Sequence, residues 1–443
     1  MKPDTLWSRR RFLGGLGGLA LSSQTAWLQA LAAPLTGGDY RALVCVFLYG
    51  GNDSNNMLVP TDSAGYAAYQ TARGSLALAQ ASLTPLNGSN FGLHPSLAAL
   101  ADIWNQGKLA LQFNVGTLLK PMSKADYLAS LASRPLNLFS HSDQQLQWQS
   151  AVYNQPSATG WAGRIADLQG SAAVPPVVSV AGNALFGAGA NTASLSVPAS
   201  GSFVIRGFGN TPASNPAFQA YTQLLAAGNS NAELAAAAQV MQQGLSASAS
   251  LNPVLTGTSS VASLFAGQTG SLAQQLLQVA KMIEARNSIG ATRHIFFVSL
   301  GGFDTHADQL NRQDALFKQL GPALKAFYDA TVQLGVANNV TTFTASDFTR
   351  TLQPASGGGS DHAWGGHHLV FGGAVKGGSY GTFPQLVLAG PDDVTSEGRW
   401  LPTTSVDQLG ATLARWYGVS EGDLGKVFPN LAAFSKTNMG YFG

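Results

Sequence analysis

The sequence predicts an α/β protein, with a largely parallel sheet flanked by helices on both faces. Three observations predict it. Runs of apolar, β-branched and aromatic residues recur and stop at glycine or at a polar residue, the pattern of strands buried on both faces. Stretches with helical spacing alternate with these runs, as in successive βαβ units. Asp and His follow directly after several of the runs, at the strand end where open α/β sheets place their ligands.

In chain order, residues 1–33 read as an address. SRRRFLGGLGGLAL sets Ser8, Arg9 and Arg10 ahead of Phe12, Leu13 and a Gly/Leu/Ala stretch, and ALAAP puts Ala30 and Ala32 at small-residue cleavage positions. The twin arginine is a Tat export signature. The expected setting is therefore periplasmic or extracellular, with the Tat translocon as a partner during export. The apolar stretch is short and glycine-rich, and no later run suits a membrane helix, so no stable anchor is expected.

Residues 34–443 read as a single domain. It opens on RALVCVFLYGGNDSNNMLVP, where Leu43 to Tyr49 is a strand stopped by Gly50 and Gly51 and followed by Asn52, Asp53, Ser54 and Asn55. NLFSHSDQQLQWQS reads as a helix with Ser140, His141, Ser142 and Asp143 at its start. Residues from about 170 to 275, rich in Ala, Ser, Gly, Gln and Asn, read as a peripheral insertion or a cap. Within them PPVVSVAG and SFVIRG look like short strands, and AELAAAAQVMQQGL and SLAQQLLQVAKMIEAR like helices. His294 to Leu300 is a strand, followed by two glycines, Asp304 and His306. DALFKQLGPALKAFYDATVQLG is helical, and Val340 to Thr344 is a strand leading to Asp347. Farther on, FPQLVLAG reads as a strand and SVDQLGATLARWYGV as a helix with Ser405 as N-cap.

Composition narrows the function. Of 443 residues only 10% are charged, and the formal net charge is +2. That balance is too small to argue for partners bound chiefly by charge, and neither nucleic acid nor an anionic membrane is expected. One cysteine, Cys45, lies in an apolar run. It excludes an internal disulfide framework and a multi-cysteine zinc site.

Against this sparse background GGGSDHAWGGHH, Gly357 to His368, holds three of the seven histidines beside Asp361. The acids and histidines that follow strands are Asp53, Asp304, His306, Asp347, Asp361, His362, His367 and His368. A parallel sheet would gather them at one edge. Asp and His together supply oxygen and nitrogen ligands for divalent metals, zinc among them. Each Asp alone could equally cap a helix. The glycines are expected to let backbone pass close to the other groups. Asp361 and His362 are the first choices to face inward, His367 the next, and His368 the bystander. Ser140 is either a plain cap or a nucleophile at a helix N-terminus. No GxSxG elbow or P-loop occurs.

SRRRFLGG, FLYGGNDSNNMLVP, FGLHPSLAAL, FSHSDQQ, GWAGR, GGFDTHADQ, SDFTRT, SDHAWGGHHLVFGGAVKGG and VDQLGATLARWYGV resemble, in order, the motifs of the bacterial family called domain of unknown function 1501. The resemblance implies Tat export and an alkaline-phosphatase-like, or sulfatase-like, core. By that analogy Asp53 is the first metal ligand, Ser140 the nucleophile, Asp304 and His306 the acid and histidine of one metal, Asp347 a further acid, and His362 or His367 the late histidine. Three places depart from the superfamily pattern. Only Thr305 separates Asp304 from His306, Phe348 stands where a ligand often follows the acid, and Ser142 competes with Ser140. The expected function is a metal-dependent hydrolase of phosphate or sulfate esters, with Ser140 and His141 as catalytic residues, divalent metal as cofactor and an ester as substrate. The alternative is a non-catalytic metal- or glycan-binding module on the same fold.

Overall fold

A computed structural model describes residues 40–169, 174–203, 215–227 and 231–443. The expected export signal and most of SFVIRG lie outside the described residues.

Strand β1 (Arg41–Tyr49) is the middle of the main sheet, and its residues Ala42 to Leu48 are all buried. A small antiparallel sheet of β2 (Leu58–Pro60), β3 (Thr84–Pro85) and β4 (Phe91–Leu93) follows it in the chain. In the main sheet β8 (Arg293–Gly301) and β9 (Val340–Ser346) flank β1, both parallel to it. Beyond β8 the parallel run continues through β6 (Val177–Ser179) to β7 (Leu195–Ser196). Beyond β9 comes β10 (Gly366–Phe371), antiparallel, and then β5 (Leu109–Gly116), antiparallel to β10. Two short strands, β11 (Gly378–Tyr380) and β12 (Thr404–Ser405), run parallel to β5.

The longer helices are α1 (Ser63–Arg73), α2 (His141–Ser150), α3 (Trp161–Gln169), α4 (Pro216–Ala226), α5 (Ala232–Thr256), α6 (Ser271–Glu284), α7 (Gln309–Gln333) and α8 (Val406–Tyr417). They cover both faces of the sheet, as the uninterrupted apolar strands require. Ala42, Val44, Val46 and Leu48 join Leu276 and Val279 of α6 and Phe317 and Leu320 of α7 in one core. Leu43, Cys45 and Phe47 point the other way and meet Trp161 and Ile165 of α3 and Leu409 and Leu413 of α8. Each fully buried Leu or Phe contributes roughly 1.5–3 kcal/mol by leaving water. Helix α8 starts as expected, with Ser405 and Gln408 forming a reciprocal capping box.

One local expectation differs from the structure, and two strands are not among those the sequence predicts. FPQLVLAG is irregular rather than a strand: Val387 is exposed, while Leu386 and Leu388 turn inward against a cluster around Trp400. The histidines of GGHH lie on a buried strand, β10, and not in an open loop. Strand β5 went unread because Gln112 and Asn114, both buried, interrupt its apolar run.

Part of the Ala/Ser-rich middle belongs to the main sheet, through β6 and β7. Helix α6, at the end of that stretch, packs in the core, and Val261 and Phe265 join it there. Helix α4 contributes no buried residue, and α5 reaches the core only through Ala247, Leu251 and Leu255. No helix among the described residues is long and apolar enough to cross a membrane.

For the site, one consequence of strand direction matters. β1, β8 and β9 all end at the same edge of the sheet, and β10, being antiparallel to β9, begins there. β5 is antiparallel to β10, so it ends there too.

Candidate metal centre

Two glycine turns bring the strand ends into contact. Gly50, after β1, has φ +111°, and Gly302, after β8, has φ +104°. A Cβ on Gly50 would lie 2.4 Å from the Asp304 backbone nitrogen, so only glycine lets the two turns cross there. The Phe303 N–H donates to the Tyr49 carbonyl (3.1 Å) and ties the two turns together. Asp304 is thereby held above the sheet edge.

Around Asp304 Oδ1 stand three imidazole nitrogens. His306 Nε2 is 3.0 Å away, His141 Nε2 3.3 Å and His362 Nε2 3.5 Å. His362 Nε2 is also 3.0 Å from His141 Nε2 and 2.9 Å from His306 Nε2. His141, Asp304 and His362 form one set, with ligand atoms all within 4.8 Å of one another. His306 adds a fourth donor on the Asp304 and His362 side.

The other nitrogen of each ring decides what these atoms can do. His141 Nδ1 lies 2.7 Å from Asp347 Oδ2, His306 Nδ1 lies 3.2 Å from Asp361 Oδ1, and His362 Nδ1 lies 2.8 Å from the Phe139 carbonyl oxygen. Carboxylate and carbonyl oxygens only accept, so each ring carries its proton on Nδ1. Three Nε2 lone pairs and a carboxylate oxygen then face one another with no proton between them. That is repulsive unless a cation sits among them. Tetrahedral zinc with ligands at about 2.0–2.1 Å needs ligand–ligand separations of about 3.3 Å, and within His141, Asp304 and His362 they are 3.0, 3.3 and 3.5 Å. Histidines whose second nitrogen is fixed by a carboxylate or carbonyl are the usual metal-ligating arrangement. The donor set therefore fits a divalent metal.

Electrostatics show a demand for positive charge at this point. Partial burial would raise the Asp304 carboxyl, but buried Arg350 at 2.7 Å and the three imidazoles outweigh it and hold it below the usual range. The hydrogen bond to Asp347 raises His141 above the ordinary histidine value, against partial burial. Burial is the main cause lowering His362. The centre opens to solvent: Asp304 is 48% exposed and His306 46%, against 27% for His141 and 25% for His362. Phe348, standing where a ligand was looked for, packs its ring against both His141 and His362, each with centroids 4.8 Å apart.

The remaining expected residues lie outside this cluster. Asp347 and Asp361 orient His141 and His306, and Gln145 and the Gly50 N–H complete the hydrogen bonds to Asp347. Asp53 is buried away from the centre. It caps the short helix Ser54–Met57 and accepts from Arg73 and from Gln309 (2.6 Å). His367 is buried, stacked on Phe383 with centroids 4.7 Å apart, and its Nδ1 accepts from the Asn114 N–H. His368 points to the opposite face, against Trp148. Ser140 is the N-cap residue of α2, but its side chain caps nothing. Its hydroxyl donates to Asp143 (2.7 Å), within 3.1 Å of Ser142 Oγ. Arg73, Arg350 and Phe139 are the participants that sequence reasoning missed. Arg350 stood in the SDFTRT motif, but nothing in its surroundings signalled a buried partner for an exposed acid.

The glycine-rich stretch does what was expected of it. Gly358 forms a bridge with Ala307, and the Ser360 N–H donates to the Thr305 carbonyl (3.3 Å). A Cβ on Gly359 would fall 2.1 Å from the His306 carbonyl carbon. Gly359→Ala must therefore displace the His306 backbone, and its imidazole with it, while changing the identity of no ligand. The expected result is weaker metal binding with the fold retained, checked by metal titration alongside circular dichroism. Asp347→Asn should cost about 10- to 100-fold in metal affinity, the usual effect of losing a partner that orients a ligand. Competition with a metal-sensitive dye reads this directly.

A sequence profile for a family described as a protein of unknown function, DUF1501, matches residues 40–424. The chain belongs to this family. No curated protein sequence matches it. Among solved structures it is similar to an alkaline phosphatase superfamily protein from Vibrio parahaemolyticus, with 9% identity and TM-score 0.35 over 87% of this chain and 68% of that one. It is also similar to a lipoteichoic acid synthase from Listeria monocytogenes, with 7% identity and TM-score 0.36 over 87% and 74%. A third is the soluble domain of a lipooligosaccharide phosphoethanolamine transferase from Neisseria meningitidis, with 9% identity and TM-score 0.33 over 92% and 95%. This DUF1501 chain thus carries its His/Asp cluster on a mostly parallel α/β sheet.

Proposed function

We propose that the chain is an exported, metal-dependent hydrolase of phosphate or sulfate esters, with His141, Asp304, His306 and His362 holding one divalent ion. The observation that carries this reading is the solvent-open cluster of three Nε2 lone pairs and one carboxylate oxygen at the edge where β1, β8 and β9 end. Four protein donors would fill a tetrahedral ion, so a substrate oxygen would enter as a fifth ligand from the exposed Asp304 and His306 side, an expansion that catalytic zinc sites allow. When bound, the ion supplies positive charge to an ester oxygen.

The chain's own groups do the rest. Helix α2 begins at His141, and Ser140 gives its first turn no side-chain cap; Asp143 takes its own N–H, which leaves those of His141 and Ser142 for an anionic substrate. Arg350 keeps Asp304 ionised and aimed at the centre. Ser140, one residue before a ligand, turns its hydroxyl proton toward Asp143 and so leaves an Oγ lone pair for attack on phosphorus or sulfur.

The experiment is metal analysis of protein purified from exporting cells, followed by a panel of aryl phosphate and sulfate mono- and diesters. About one metal per chain is expected, with hydrolysis of at least one ester that is lost in His362→Ala. A fully metal-loaded protein no more active than His362→Ala on every ester would sink the hydrolase reading. Ser140→Ala tests the nucleophile separately, since unchanged turnover would assign the attack to water. Export is tested by replacing Arg9 and Arg10 with lysine, which should leave the precursor in the cytoplasm.

A further inference from the structure

A cavity of roughly 780 Å³ opens beside the end of β5, between Leu118, the segment Pro121–Ala125, the loop around Pro391 and the C-terminal Phe434–Met439. Its volume lies in the range of small-molecule sites, about 300–1,000 Å³. It sits on the same edge of the sheet as the metal centre. β5 is two strands from β9, or about 10 Å at the usual strand spacing.

One apolar cluster joins the two sites. Leu118, Leu401 and Phe434 of the cavity wall pack with Trp364, two residues after His362, and Met122 and Phe139 pack against the same cluster. Phe139 is the residue whose carbonyl fixes His362.

What the cavity can recognise follows from which of its polar groups are already engaged. Thr404 Oγ accepts from Gln112, Thr403 Oγ donates to the Thr382 carbonyl and Ser123 Oγ donates to Asp126. Gln408 caps Ser405 through its carbonyl and donates its amide to the Lys436 carbonyl. The exposed hydroxyls of Thr382 and Ser435 and the cationic groups remain. Lys124 Nζ uses two of its three donors, on the Ala389 and Gly390 carbonyls. Lys436 is exposed and enters no ion pair among the described residues. Against these two lysines the lining offers one carboxylate, Asp392. The floor is Leu, Met, Pro and Phe, and no Trp or Tyr offers the flat face on which a sugar would stack. We infer that this cavity binds an amphiphilic anion, with an alkyl or aryl body on the Leu118, Met122 and Phe434 floor and a phosphate-, sulfate- or carboxylate-type head at Lys436 and Lys124.

The test is isothermal titration of the full chain with octyl phosphate below its micelle concentration, with inorganic phosphate and octyl glucoside as comparisons. Octyl phosphate should bind at one site besides any at the metal centre, at least about tenfold tighter than either comparison, a difference of roughly 1.4 kcal/mol. Lys436→Glu, at an exposed position that the fold tolerates, should weaken it by about tenfold or more, and Met122→Gln should also weaken it. Asp304→Ala should leave it unchanged, because the inference does not depend on metal or turnover. Equal binding of octyl glucoside would overturn the anionic head. Binding lost in Asp304→Ala but kept in Lys436→Glu would place the ligand on the metal centre and overturn the cavity. A chain that binds octyl phosphate but hydrolyses no ester would keep this inference while removing the hydrolase reading.

Discussion

Asp304→Ala is expected to empty the metal centre and abolish ester hydrolysis. Asp304 supplies the only carboxylate oxygen shared by all three Nε2 atoms, at 3.0–3.5 Å. Without it the cluster holds three neutral donors and no negative charge to offset a dication. The loss should exceed the roughly 10- to 100-fold that follows when a partner orienting a ligand is removed. A second effect travels with it. Buried Arg350 loses its carboxylate partner, and its remaining partners are the Ser360 and Gly50 carbonyls. Removing one partner of a buried charge destabilises by up to about 3–5 kcal/mol, and the half-exposed position of Asp304 and the nearby Asp53, Asp347 and Asp361 carboxylates place this case toward the lower end. Asp304→Asn separates the two effects. Its amide oxygen still accepts from Arg350, so the thermal midpoint should be largely restored while bound metal stays low. Metal content and melting curves of both variants decide it, and wild-type metal content in Asp304→Ala would refute the assignment.

The sequence made the edge of the sheet legible and left the division of labour there unread. Apolar runs ending in glycine located β1, β8 and β9, and parallel pairing then placed Asp304 and Asp347 at one edge. What sequence cannot separate is a donor from the group that orients it. Asp304 and Asp347 both follow a parallel strand, yet one faces the centre while the other holds a histidine that does. The difference lies in side-chain direction and in the sub-nanometre path of two turns. Asp53 follows a strand in the same way but meets Arg73, which lies 20 residues on and became a neighbour only when α1 packed. In GGHH, strand alternation sends His367 and His368 to opposite faces of a buried strand. Glycine-rich surroundings hid that strand, just as Gln112 and Asn114 hid β5.

Those buried histidines make the protein acid-sensitive well above the carboxylate range. Burial pushes His294 and His94 down to about 4, and His367 and His368 down to about 3. Each is neutral in the folded chain and titrates near about 6.5 when unfolded. The folded value is the lower one, so this contribution to stability is fully present above about pH 6.5. It falls as the pH drops from there toward 3–4, because the unfolded chain then binds more protons. With four such groups the slope approaches at most about 5 kcal/mol per pH unit near pH 5.5, at about 1.4 kcal/mol per proton. Urea unfolding should therefore show a midpoint nearly constant from pH 7 to 8 and falling steeply between pH 6 and 5. His367→Asn tests the cause, since an amide oxygen can replace Nδ1 as acceptor for the Asn114 N–H while carrying no titrating proton. That variant should be less stable than wild type at pH 8 through lost packing on Phe383. Its pH slope should nevertheless be shallower by about one proton. An unchanged slope would show that His367 is not among the groups that take up protons on unfolding.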